Sequence, residues 1–157
     1  MSMDNRKYTY VAYTDGIRKQ CDSQSMLYRK FRPVVNMFDF DGVTREGNHP
    51  SPGDVIITGR TFEEFEIVVE YLKKHHLMVP VYFNPVHLRD RGNHCDAARQ
   101  HSGMHKVKII QLLKDNEVNI GKFHEDDPIQ AELIKAHHPD VEVVKYPFDH
   151  KNNEDDK

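Results

Sequence analysis

The chain contains two cysteines, Cys21 and Cys95, too few for a disulfide framework. No apolar run approaches the roughly 20 residues of a membrane span, and no signal-peptide pattern opens the chain. No internal repeat, long linker or CxxC pair is present. Surplus positive charge is also missing. The formal net charge is -3, which excludes a polycation built to grip nucleic acid as a whole molecule. These absences point to a cytoplasmic protein in a reducing setting. Its 157 residues suit one domain, and 38% hydrophobic with 30% charged residues is ordinary for a soluble globular chain.

The charge is uneven. Residues 1–32 carry Arg6, Lys7, Arg18, Lys19, Arg29, Lys30 and Arg32 against Asp4, Asp15 and Asp22. This basic extension, with "KYTYVAYTD" as an edge strand or a substrate-facing arm, precedes a main domain over 33–148. Residues 149–157 form a polar tail.

Within the main domain, short Val- and Ile-rich runs read as buried parallel strands: Pro33–Phe40, Asp54–Thr58, Leu77–Phe83, Val118–His124 and Val141–Lys145. Helical patterns separate the later ones. The first starts at "TFEE", where Thr61 and Glu64 have capping-box spacing and Phe62, Phe65, Val69 and Leu72 make an apolar stripe. The second is expected from about His105 to Lys114, with Ile109, Ile110 and Leu113 inward. The third begins at "DPIQ", with Asp127 as N-cap, Pro128 in the first turn and Gln130 as the box partner. This alternation predicts an α/β, Rossmann-like three-layer sandwich around a parallel sheet of about five strands. Ligands in such sheets bind beyond the carboxyl ends of the strands, at a topological switch point.

The residues expected there bear chemistry. Asp39-Phe40-Asp41-Gly42 follows the first strand, Thr58-Gly59-Arg60 the second and Glu125-Asp126-Asp127 the fourth, and Lys106 opens the helix before it. Converging carboxylates suit a hard cation such as Mg²⁺, which keeps waters and a substrate phosphate. One carboxylate can attack phosphorus, and a second, protonated by crowding, can serve as acid and then base. Phe40 is expected to turn into the core between the two Asp.

Four motifs, "DFDGV", "VIITGR", "HKVKII" and "FHEDDP", occur in that order. With them the chain over roughly 33–147 resembles the haloacid dehalogenase-like superfamily of phosphohydrolases. The resemblance implies that Asp39 is the nucleophile and a Mg²⁺ ligand. Asp41 would be the general acid/base and reach the metal through its carbonyl. Thr58 would contact the phosphoryl group, and Lys106 would neutralise charge. Asp126 would complete the metal shell, with Asp127 beside it. Gly59 and Arg60 would contact substrate. Lys108 competes with Lys106 for the lysine role, and Glu125 with Asp126 for the metal.

The gaps between motifs hold no room for a cap domain; 84–104 reads as a loop. The resemblance therefore extends to a capless type with an open site, similar to the phosphatase domain of polynucleotide kinase-phosphatases, with Arg89, Arg91 and Arg99 before the motif lysine. It implies a phosphorylated small molecule, nucleotide or polynucleotide end as partner, and no membrane. Two other readings stand beside it. One is a non-catalytic module that binds phosphate or metal. The other is a zinc-stabilised interaction protein using His87, His94, Cys95, His101 and His105, of which His101 and His105 have i,i+4 spacing.

Overall fold

A computed structural model describes residues 10–12, 34–92 and 95–148, the first three as backbone only. Most of the basic extension, His94 and the polar tail lie outside the described residues.

Six parallel strands make one sheet. They are β1 (Tyr10–Ala12), β2 (Val35–Phe38), β3 (Val55–Thr61), β4 (Val81–Asn84), β5 (Ile120–Glu125) and β6 (Val143–Lys145), in the order β1-β4-β3-β2-β5-β6. The five expected strands are all there. The sixth is the edge strand read as one option for "KYTYVAYTD", with Tyr10 paired to Val81.

Helices cover both faces. On one, α1 (Phe65–Lys74) packs Val68 and Leu72 against Phe38, Phe40, Ile56, Val81 and Phe83. On the other, α3 (Asp96–Asp115) and α4 (Pro128–His137) pack Ile109, Ile110, Leu113 and Ile134 against Val35, Met37, Ile57 and Phe123. A single turn, α2 (Leu88–Arg91), precedes α3. The result is a Rossmann-like three-layer sandwich. Among the described residues there is no cap domain, and no helix is long and apolar enough to cross a membrane.

Two expectations need correction. Residues 84–104 are not a loop: they hold α2 and the first turns of α3. The helix starts at Asp96, not near His105. Its first half buries Ala98, Ser102 and Gly103, which are small or polar and leave no apolar stripe to read. Phe62 is also not part of the α1 stripe. It sits in a 3₁₀ turn, Phe62–Glu64, and stays 38% exposed while meeting Phe65 and Phe83 edge or face. Of the expected Thr61–Glu64 capping box, the Glu64 half is formed on that turn: the Thr61 N–H donates to Glu64 Oε1 at 2.9 Å.

β2 is central. The chain runs from it to β3 and β4 on one side, then crosses to β5 and β6 on the other. The switch point lies between the carboxyl ends of β2 and β5.

Candidate active site

Side-chain parity decides what faces the switch point. Met37 of β2 packs on the α3 face, and Phe38 and Phe40 pack on the α1 face. Asp39 continues the β2–β5 ladder, its N–H donating to the His124 carbonyl at 3.0 Å. Its carboxylate therefore falls on the same side as Met37, toward α3. In β5, Phe123 is buried on that face, so Glu125 also points to α3. On α3, Lys106 shares its stripe with Ile109, Ile110 and Leu113 at i+3, i+4 and i+7.

These three groups meet. The Lys106 ammonium donates to Asp39 Oδ1 at 2.8 Å and to Glu125 Oε1 at 2.6 Å, and Lys106 is 1% exposed. Lys108 is exposed, so Lys106 is the lysine at the carboxylates. It lies mid-helix, not in a first turn. Burial alone would lower its pKa; the charges of Asp39 and Glu125 outweigh that, and the net shift is upward.

Asp126 completes the cluster, within hydrogen-bonding reach of Asp39. Ligand oxygens of Asp39, Glu125 and Asp126 lie within 4.8 Å of one another. Burial raises Asp39 against the pull of Lys106. Burial and then the Asp39 charge push Asp126 up to about 10 and Glu125 to about 8. Three buried carboxylates thus face one ammonium. The donor set is all hard oxygen and one cation short, which fits a hard divalent ion such as Mg²⁺.

The crowded partner of Asp39 is therefore Asp126, whereas the sequence pattern led us to expect Asp41. Asp41 is held elsewhere. Arg60 donates to it through Nε (Oδ2, 2.8 Å) and a terminal nitrogen (Oδ1, 3.0 Å), and Arg45 donates to Oδ1 at 3.0 Å.

Asp127, expected at the metal, has its oxygens committed to other partners. It accepts from Ile129 N–H as the α4 N-cap, from Gln130 Nε2 at 3.0 Å, and from Arg99 through two nitrogens at 2.8 and 2.9 Å. Arg99 outweighs burial and holds the Asp127 carboxyl below the usual range. Gln130 binds the cap's carboxylate and does not close a capping box. Glu125, not Asp127, faces Asp39 and Asp126.

Thr58 is buried, accepts from the Arg60 N–H at 3.1 Å and does not line the pocket. Gly59 lines the pocket but packs tightly: an added Cβ would lie 2.4 Å from Ser102 Oγ. Its carbonyl accepts from Arg91 at 2.9 Å. Arg60 is 2% exposed, a clamp on Asp41 rather than an open substrate contact.

The pocket is lined by Asp39, Asp41, Asp126 and Lys106, and also by Arg91, Arg99, Ser102, Gln130 and Phe148. Arg99 stacks over the Phe148 ring at 4.6 Å. Sequence reasoning named Arg91 and Arg99, but Arg89 points to solvent. It missed Phe148, Gln130 and Ser102 as wall residues. Pocket lining by polar and small helix residues has no sequence signal of its own. Among the described residues the histidines do not form a metal-binding group. His87 pairs with Glu63, His101 faces Asn84 and His105 faces the Tyr82 carbonyl. Among the described residues the only group able to hold an ion is Asp39, Glu125 and Asp126.

Gly42 turns the chain at this site with φ +83°, and a Cβ there would lie 2.0 Å from Asp126 Oδ2. Gly42→Ala is expected to cost about 1 kcal/mol or more through backbone conformation alone and to push Asp126 aside. Thermal melts should show a smaller Mg²⁺-induced rise in Tm than for the wild type; an equal rise would contradict the placement.

The raised carboxyls carry a sign. In the ion-free protein, Glu125 and Asp126 bind more protons folded than unfolded between about pH 4 and their folded values. Their contribution to stability is full below about pH 4 and is lost as the pH rises through the folded pKa values. Ion-free Tm should therefore fall between about pH 5 and about pH 9, Mg²⁺ should flatten that fall, and its binding should release protons. Identical slopes with and without Mg²⁺ would contradict a cation site.

No protein-family model matches the chain, and no curated protein matches it.

Proposed function

We propose that the protein is a Mg²⁺-dependent phosphomonoester hydrolase of the haloacid dehalogenase-like type, working through an aspartyl-phosphate. One observation carries the reading. The Asp39 carboxylate stands at the switch point, 2.8 Å from a buried lysine and beside Asp126, at the floor of an open pocket. A structural ion pair needs one carboxylate for its ammonium; this cluster has three.

In the first half-reaction an Asp39 oxygen bonds to phosphorus. The bond from phosphorus to the leaving oxygen breaks, its electron pair stays on that oxygen, and Asp41 supplies a proton. In the second half a water oxygen bonds to phosphorus, the electron pair of the phosphorus–Asp39 bond returns to the carboxylate, and the water's proton passes to Asp41. Ester and water become alcohol and phosphate, and both Asp residues are restored. Lys106 holds Asp39 in place and offsets its charge as the phosphate approaches. Asp39, Asp126 and Glu125 would hold Mg²⁺, which supplies charge neutralisation at the phosphoryl oxygens. Thr58 supports the reaction indirectly, through the Arg60 backbone.

The pocket is open and, among the described residues, no cap covers it, which favours bulky phosphate esters such as nucleotides or polynucleotide ends over small sugars. The test is phosphate release from a panel with and without Mg²⁺: an aryl phosphate, sugar phosphates, nucleotides and 3′- or 5′-phosphorylated oligonucleotides. Mg²⁺-dependent release is expected, and its loss on chelation. No release above background from any ester would sink the reading.

A further inference from the structure

We propose that Arg60 is a positioning residue whose guanidinium fork sets how Asp41 exchanges its proton with the leaving group. The proposal rests on the phosphohydrolase reading above.

The fork is held on both edges. Its inner edge grips Asp41 through Nε at 2.8 Å and a terminal nitrogen at 3.0 Å. Its other terminal nitrogen donates to Glu64 Oε2 at 3.1 Å. Glu64 in turn is fixed by the turn after β3, where Thr61 N–H donates to Oε1 at 2.9 Å, and it lies 3.4 Å from Arg91. The Arg60 backbone is tied to Thr58 Oγ. Arg60 is 2% exposed, so the geometry is set by packing and not by solvent. Only a planar guanidinium can meet two Asp41 oxygens and Glu64 at once; a lysine ammonium cannot.

A clamp of this kind costs desolvation that a surface arginine would not incur. It orients a pocket carboxylate that is neither on Lys106 nor in the three-carboxylate cluster, and that, unlike Asp127, does not cap a helix. Once Asp41 has given its proton to the leaving oxygen, both of its oxygens accept, as they do here. It is then set to take the proton of the attacking water. Glu64 and Arg60 are thus to Asp41 what an orienting partner is to any acid–base residue.

Leaving-group dependence separates this role from a merely structural ion pair. An alkyl oxygen needs a proton as the bond to phosphorus breaks; a nitrophenolate leaves without one. General acid catalysis is worth about 10²–10⁴-fold. Arg60→Gln should therefore lower kcat/KM for an alkyl phosphate by about 10²-fold and for nitrophenyl phosphate by less than about tenfold. Arg60→Lys, which keeps the charge, and Glu64→Gln, which keeps the volume, should show the same skew, so the test stands if Arg60→Gln does not fold. In an Asp41→Asn background Arg60→Lys should add little. Equal losses on both esters in the folded variants would overturn this proposal alone. Absence of wild-type turnover on every ester of the panel above would overturn the phosphohydrolase reading and this proposal with it.

Discussion

Replacing Asp39 by Asn should abolish phosphate release and leave the protein folded. The amide keeps the size and one acceptor oxygen, but it is no longer a nucleophile and no longer carries the charge that Lys106 and a cation would meet. Removing a covalent nucleophile costs on the order of 10⁴-fold or more in kcat. Stability should move the other way or stay level. Asp39 is a buried carboxylate crowded by Asp126 and Glu125, its pKa raised chiefly by burial. Neutralising it relieves like-charge repulsion while Lys106 keeps Glu125 at 2.6 Å. Thermal melts in ion-free buffer should therefore show Asp39→Asn at or above the wild-type Tm. Activity within tenfold of wild type would remove Asp39 from the chemistry, and a large drop in Tm would make the loss of activity uninformative.

Lys106→Met should be both inactive and strongly destabilised. The methionine fills the space of the stem, so the loss is electrostatic. Two buried carboxylates, Asp39 and Glu125, lose their shared cation, a break that typically costs about 3–5 kcal/mol. The pH dependence follows from the sign of the shift. The Lys106 pKa is raised in the fold, so its contribution is present at every pH below about 10.4 and is lost only above it. The penalty of the variant should accordingly be largest in alkaline solution below that limit, and it should shrink as the pH falls through about 8, where Glu125 takes up its proton and needs the ammonium less. Adding Glu125→Gln to Lys106→Met should recover part of the stability, because one unpaired charge is gone, and none of the activity. Denaturant midpoints measure the first and phosphate release the second. A Lys106→Met protein as stable as the wild type would contradict the buried geometry.

Much of the fold was legible because the strands are short Val- and Ile-rich runs, a signal that survives without context. Asp39 was legible for the same reason, since it directly follows one of these apolar strands. The error at α3 has a physical cause. Its first turns face α4 and the pocket with Ala98, Ser102 and Gly103, residues chosen for close approach rather than for apolar burial. A Cβ on Gly103 would lie 2.8 Å from a Leu133 methyl, so the packing there requires the absence of a side chain. The acidic run Glu125-Asp126-Asp127 was legible as a site but not as an assignment. Which carboxylate turns inward depends on where β5 stops, and one residue changes the face. Because the strand runs to Glu125, that residue joins Phe123 on the inner face, Asp126 starts the loop and Asp127 caps α4. The Arg60–Asp41 clamp joins residues 19 apart in sequence. Periodicity and motif spacing say nothing about pairings across two strand ends.

The covalent intermediate is the central claim, and a borohydride quench during turnover reads it most directly. Borohydride reduces an aspartyl-phosphate to homoserine, which peptide mass spectrometry places in the chain. Homoserine is expected at position 39, and it should require both the phosphate ester and Mg²⁺. Phosphate release with no homoserine anywhere, or homoserine at position 41 or 126 in place of 39, would contradict it.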